Sequence, residues 1–193
     1  MFILSIKHLK KKAMNICEDD ELFFEKFLLS DDYFRENDDI EAVTFYIERK
    51  YSSKSFLNLI FYLMDNSGAF TNRKDLLREL RQLYKKRYYY GALTLGITQL
   101  EHMVVSFNKF EGRLHQKELI RLIKKTYPEE DSFYMNLHLE YVMCKFEHGK
   151  EIKSKISRHG IAHGGVDDHG NAINAYRCLI LLGHLSTIIS NKM

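Results

Sequence analysis

Apolar residues recur at helical spacing along most of the chain. Leu22, Phe23 and Phe27 make a short amphipathic stretch with Lys26, after the capping candidates Asp19 and Asp20. Asp38 or Asp39 can cap a second stretch through Val43, Ile47 and Tyr51. A third runs through Phe56, Leu59, Ile60 and Leu63 to a turn at Asn66-Ser67-Gly68. Asn72 stands three residues before Asp75, a capping arrangement with an acid in the first turn. It predicts a helix through Leu76, Leu77, Leu80, Leu83 and Tyr84. Tyr88-Tyr89-Tyr90-Gly91 then breaks or bends the pattern and marks a domain boundary. Residues 1–88 read as an N-terminal helical region and 89–193 as a second helical domain.

Beyond that boundary, Leu93, Ile97, Leu100, Val104 and Phe107 predict a helix from Ala92 to about Lys109. Glu101 borders its apolar face, where a carboxylate needs a partner or access to water. Leu119, Leu122 and Ile123 mark another helix, ended by Tyr127-Pro128. Phe133, Leu137, Tyr141 and Cys144 mark the next, with Gly149 as its stop. A last helix spans about Asn171 to Ile189, through Ala172, Ala175, Tyr176, Leu179 and Leu182. A single proline and 10 glycines in 193 residues favour long helices over many turn-linked strands. The expected fold class is all-α, a helical bundle.

Charge adds an asymmetry. Residues 1–72 hold 9 Lys and Arg against 13 Asp and Glu, whereas residues 73–193 hold 20 against 13. The basic part is suited to an anionic partner or to docking the acidic part. Lys74, Arg78, Arg81 and Lys85 are spaced 4, 3 and 4 along one helix, a stripe that can meet an RNA backbone or simply face water. The tyrosine run beside it can stack bases or pack at a helix junction. Three cysteines without a CxxC pair fit reduced, buried thiols. The N-terminal apolar run is followed by its basic cluster, the wrong order for a signal peptide, and no stretch approaches a membrane span in length. The expectation is a cytoplasmic protein without a membrane partner.

Candidate chemistry concentrates between the last two helices. Ser157 to Gly170 packs one arginine, three histidines and four glycines into fourteen residues. Imidazole exchanges protons near neutral pH, and guanidinium forks a phosphate. On a helix, His159 and His163 are i, i+4 neighbours, while Arg158 points roughly 140° away from His163 at the 100° per residue of an α-helix. Their convergence then depends on an irregular helix start. His8, His102, His115, His138, His148 and His184 stand apart and read as structural or surface residues.

Arg158-His159-x-x-x-His163, followed by Gly164, resembles the Arg-(Asn/His/Asp)-x(3–5)-His signature of the HEPN superfamily. It is similar to the Asn-Arg-His-x-x-x-His-Gly version found in abortive-infection-like proteins, with Ser157 in place of asparagine. Glu101 resembles an acidic position on an early helix of that fold, and the helix from Asn171 resembles its closing helix. The resemblance covers about residues 90–193. It implies a helical HEPN-like domain that forms a homodimer with a composite active site, and a metal-independent endoribonuclease needing no cofactor. RNA is the implied partner, with an antitoxin or regulatory protein as another, and the biological setting is that of a toxin or anti-phage defence effector. His163 would transfer a proton, Arg158 would stabilise the phosphorane, and His159 would position the phosphate or supply the second proton. Glu101 would orient Arg158 or a histidine.

Two other function classes fit the same residues. A metal-dependent hydrolase would use His159 and His163 with Asp167, Asp168 or His169 nearby, although Gly160 replaces the glutamate of an HExxH protease. A non-catalytic interaction module would satisfy Arg158 and His163 by structural hydrogen bonds. No glycine-rich phosphate loop and no Gly-x-Ser-x-Gly elbow is present.

Overall fold

Helix α1, Lys54–Asn66, opens the part of the chain that the computed structural model describes, namely residues 54–144, 147, 150, 154, 156–165 and 169–192. The two helical stretches expected between Asp19 and Tyr51 lie outside the described residues, as does Gly149. After a 3-10 turn, Gly68–Phe70, come α2 (Lys74–Lys85) and α3 (Tyr89–Phe107). They are followed by α4 (Gln116–Thr126), a 3-10 turn at Glu129–Asp131, and α5 (Ser132–Leu137), which runs on as a π-helical turn, His138–Val142. The five-residue α6 (Arg158–Ala162) and the long α7 (Ala172–Lys192) complete the set. No strand occurs among the described residues, and the fold is an all-α bundle.

Helix α7 is the centre of the bundle. Every residue from Ala172 to Ile189 is buried, with α3 and α1 packed along it. Asn171 caps its start, its side-chain oxygen accepting from the backbone N–H of Asn174 at 2.9 Å. The apolar spacing predicted one buried face; burial on all sides is what the position between several helices requires. By length and composition alone α7 could cross a membrane, but it carries Arg177 and His184 and its surroundings here are protein. Polar residues inside it bond to the preceding turn: Ser186 donates to the carbonyl of Leu182 at 2.7 Å and Thr187 to that of Gly183 at 3.1 Å. Gly96 of α3 lies against Cys178 of α7, where a Cβ would come within 2.7 Å of the thiol sulfur. That close approach brings the two helix axes together.

The faces of α1 and α2 are set by the same core. Leu57, Ile60, Phe61 and Met64 are the buried residues of α1, whereas Leu59 and Leu63 are only half-buried. The helix is apolar nearly all round, so two faces satisfy the same spacing and tertiary packing chooses between them. In α2, Leu77, Leu80 and Tyr84 point inward. Tyr84 donates to the carbonyl of Ala175 and packs against Phe61 and Tyr176. The residue before α2 is Arg73, not the expected cap Asn72, and it makes no side-chain capping bond. The α2–α3 junction takes a tight turn with Arg87 at φ 60°, and α3 begins at Tyr89, three residues before the expected start. Tyr89 is buried against Tyr176, while Tyr88 and Tyr90 are exposed. Residues on both sides of position 88 belong to one apolar core, from Leu57 to Ile189.

Candidate functional site

Helix α6 carries the arginine–histidine motif, and both of its ends are fixed by local chemistry. At the start, Ser157 is the N-cap: its Oγ accepts from the backbone N–H of Gly160 at 3.2 Å. The same hydroxyl donates to the carbonyl of Cys144 at 3.1 Å, tying α6 to the segment after α5. At the end, Gly164 adopts φ 67°. Its N–H bonds to the carbonyl of Ile161 at 3.3 Å, and the N–H of Gly165 bonds to that of Gly160 at 2.8 Å. This pair of bonds is a Schellman C-cap, which requires a left-handed residue and favours glycine there. Gly164 therefore has a backbone reason to follow His163.

The short helix also settles the angular problem. Arg158 is the first residue of α6 and His163 its C-cap, so the two sit at opposite ends of a single turn and a half. Arg158 reaches across to α3, where its Nε pairs with the Glu101 carboxylate. The two side chains are 32% and 25% exposed, so the pair lies at a cleft wall and not in the dry core. The rings of His159 and His163 meet edge to face with centroids 5.6 Å apart. The four residues expected at the site, Arg158, His159, His163 and Glu101, line one cleft of about 690 Å³.

The floor of that cleft is a stripe of α3. Ile97, Thr98, Glu101, His102 and Val105 recur at three- and four-residue spacing and face it together. Arg73, at the start of α2, also lines the cleft. Its Nη1 donates to the side-chain oxygen of Gln99 at 3.1 Å, and Gln99 itself is buried. Burial lowers the pKa of His159, and the charges of Arg158 and His163 lower it further, against an opposing pull from Glu101. Burial also lowers the pKa of His102, helped by the Arg73 charge. Both rings are therefore biased toward the neutral form, able to accept a proton on one nitrogen and donate from the other.

Arg73 and His102 are the cleft residues that the sequence did not single out. His102 follows Glu101 directly, and the helical stripe of α3 was the available signal. Nothing local marks Arg73, because the packing of α2 on α3 brings it there. The basic stripe of α2 lies elsewhere, since none of its four residues lines the cleft. Lys74 bonds to the carbonyl of Asp65 and sits 3.5 Å from its carboxylate, and Arg81 donates to Asn58 while lying 5.6 Å over the Phe61 ring. Arg78 pairs with Asp75 at 2.7 Å on the surface, and Lys85 is exposed. Half of the stripe thus serves the α1–α2 contact.

His169 is packed edge-on against Tyr90, with centroids 4.9 Å apart. Asp167 and Asp168 lie outside the described residues. Among the described residues no group of three or more His, Cys, Asp or Glu side chains converges as metal ligands would. The chain matches no protein-family model, no curated protein and no solved structure.

Proposed function

We propose that this protein is a metal-independent endoribonuclease of HEPN type, of the kind that serves as a toxin or anti-phage defence effector. What supports this reading is the shared cleft, in which the guanidinium and both imidazoles of the motif line the same space as the carboxylate that holds that guanidinium. A neutral histidine takes the proton from an RNA 2′-hydroxyl as its oxygen attacks the adjacent phosphorus. The new P–O2′ bond forms, the P–O5′ bond breaks, and the second histidine delivers a proton to the leaving 5′-oxygen. The products are a 2′,3′-cyclic phosphate and a 5′-hydroxyl, with no oxidant, reductant or metal in the balance. His163 and His159 exchange these protons. Arg158, oriented by Glu101, stabilises charge on the pentacoordinate phosphorus. The active species is a homodimer that brings two copies of the motif together.

His163→Ala and Arg158→Ala are each expected to abolish cleavage of a single-stranded RNA while circular dichroism stays helical. Retained cleavage in both variants would remove the assignment. A second reading, a non-catalytic interaction module, draws support from the Arg158–Glu101 pair, which already gives the guanidinium a partner. That reading takes over if the wild-type protein cleaves no RNA in any oligomeric state.

A further inference from the structure

Among the described residues, three charged side chains line the cleft: Arg158, Glu101 and Arg73. Arg158 and Glu101 pair with each other, so their charges cancel as seen by an incoming anion. Arg73 is thus the arginine of this cleft whose charge no lining carboxylate pairs with. The hydrogen-bond partner of Arg73 is an amide, which holds the guanidinium without neutralising it. That amide is itself arranged for the purpose. Gln99 is 3% exposed, and its Nε2 donates to the Thr98 hydroxyl at 3.3 Å, which turns its oxygen toward Arg73. A buried amide with a fixed orientation is costly unless both ends are satisfied. His102 lies three residues further along α3, on the side of Gln99, and also lines the cleft. Glu101 and His102 are consecutive and so about 100° apart around α3. Arg158 and Arg73 therefore hold different positions along α3, Arg158 at Glu101 and Arg73 at Gln99.

We infer that Arg73 and His102 form a second phosphate subsite, holding the backbone phosphate of an RNA strand next to the one being cut. The subsite rests on the ribonuclease reading for its ligand but stands on its own geometry for anion binding. Guanidinium forks two phosphate oxygens, and a neutral imidazole N–H donates a further bond. A contact of this kind fixes the register of the strand and reads no base. Arg158 alone, already paired, could hold the scissile group but not set where along the strand it falls.

The test uses the full chain and two probes. A 2′-O-methyl hexanucleotide, which lacks the nucleophile, measures binding without cleavage. Arg73→Ala is expected to weaken it by about tenfold and to flatten the salt dependence by roughly 0.7, one phosphate contact on a single strand. Arg73→Lys should restore the salt slope but only part of the affinity, because charge returns without the fork. Inorganic phosphate is the second probe. It should move the ring resonances of His102 in the wild-type protein and leave them in place in Arg73→Ala. An unchanged hexanucleotide affinity in Arg73→Ala, or His102 resonances indifferent to phosphate, would overturn the subsite. If phosphate moves His102 but the wild-type protein binds no hexanucleotide, the anion subsite stands and the RNA reading falls.

Discussion

At Arg158, orientation and net charge make opposite demands on the neighbouring carboxylate. Glu101 fixes the guanidinium at the cleft wall, and it also subtracts one positive charge from a site proposed to bind an anion. Glu101→Gln separates the two effects. The amide keeps the size of the side chain and an oxygen acceptor but loses the charge-assisted bond. On the proposed reading, single-turnover RNA cleavage falls by roughly 10- to 100-fold as Arg158 loses its fixed direction, in the range found when one preorganised donor is lost. Affinity for the 2′-O-methyl hexanucleotide rises over the same substitution, because the cleft gains net positive charge. Cleavage that stays at the wild-type rate would take the positioning role away from Glu101. Position 101 was legible in the sequence as a carboxylate bordering an apolar face, which must find a partner. The resemblance to the HEPN pattern left that partner as Arg158 or a histidine, and only the fold, which brings Arg158 from 57 residues away along the chain, chose the arginine.

Helix α6 is too short to form on its own. A helix of five residues cannot repay its nucleation in water, so it depends on its ends and on its packing. The Ser157 cap and the left-handed Gly164 supply the ends, and α3 supplies the packing. Ser157→Ala removes both the cap and the bond to the carbonyl of Cys144, and should lower stability by about 1 kcal/mol. Gly164→Ala forces a Cβ into the left-handed region and should lower it by about 1 kcal/mol as well. Urea unfolding measures both losses, and amide exchange across residues 158–165 localises them. If neither variant shifts the urea midpoint or the exchange rates, the ends do not hold α6. The same element shows the limit of reasoning by angle. A regular helix places Arg158 and His163 roughly 140° apart, but the two residues sit at the ends of one short helix, and a long side chain spans the difference.

At the scale of the whole molecule, acid sensitivity is built into the core where α7 meets the segment of Tyr127 to His138. His138 and His184 are buried, and burial pushes their pKa values down to about 4 and about 3. The His138 Nδ1 and the Tyr127 hydroxyl are hydrogen-bonded at 3.2 Å, and His184 stacks on Tyr134 with centroids 3.6 Å apart. The Asp131 carboxylate stands 3.6 Å from His184 Nε2, too far for a hydrogen bond, and burial is what lowers the His184 pKa. Both rings are neutral in the folded protein and titrate near 6.5 once unfolded. Acidification therefore protonates the unfolded chain first, so the stability present above pH 6.5 drains away as the pH falls toward 4. At about 1.4 kcal/mol per pKa unit, each imidazole withdraws on the order of 3 kcal/mol by pH 4. His184→Phe should flatten the decline in unfolding free energy between pH 6.5 and 4 relative to the wild-type protein. An identical slope in the variant would show that His184 does not titrate differently on unfolding.

The chain's own pattern determined the helices and the place of the arginine–histidine motif, because helical periodicity, caps and a local cluster of proton-exchanging groups are properties of neighbouring residues. It also marked Glu101 as a carboxylate that needs company. Packing decided the rest. Only the pairing of α3 with α6 gave Arg158 its carboxylate, and only the pairing of α2 with α3 brought Arg73 to the same cleft. Burial turned His138 and His184, which look incidental in the sequence, into acid-labile core residues. The packing of α1 on α2 also diverted Lys74 and Arg81 from an apparent basic stripe into the contact between those helices. The reason is the same in each case. Helix formation is governed by residues three and four apart, whereas the partner and the solvation of a charge depend on segments distant in the chain, which meet only when the core closes around α7.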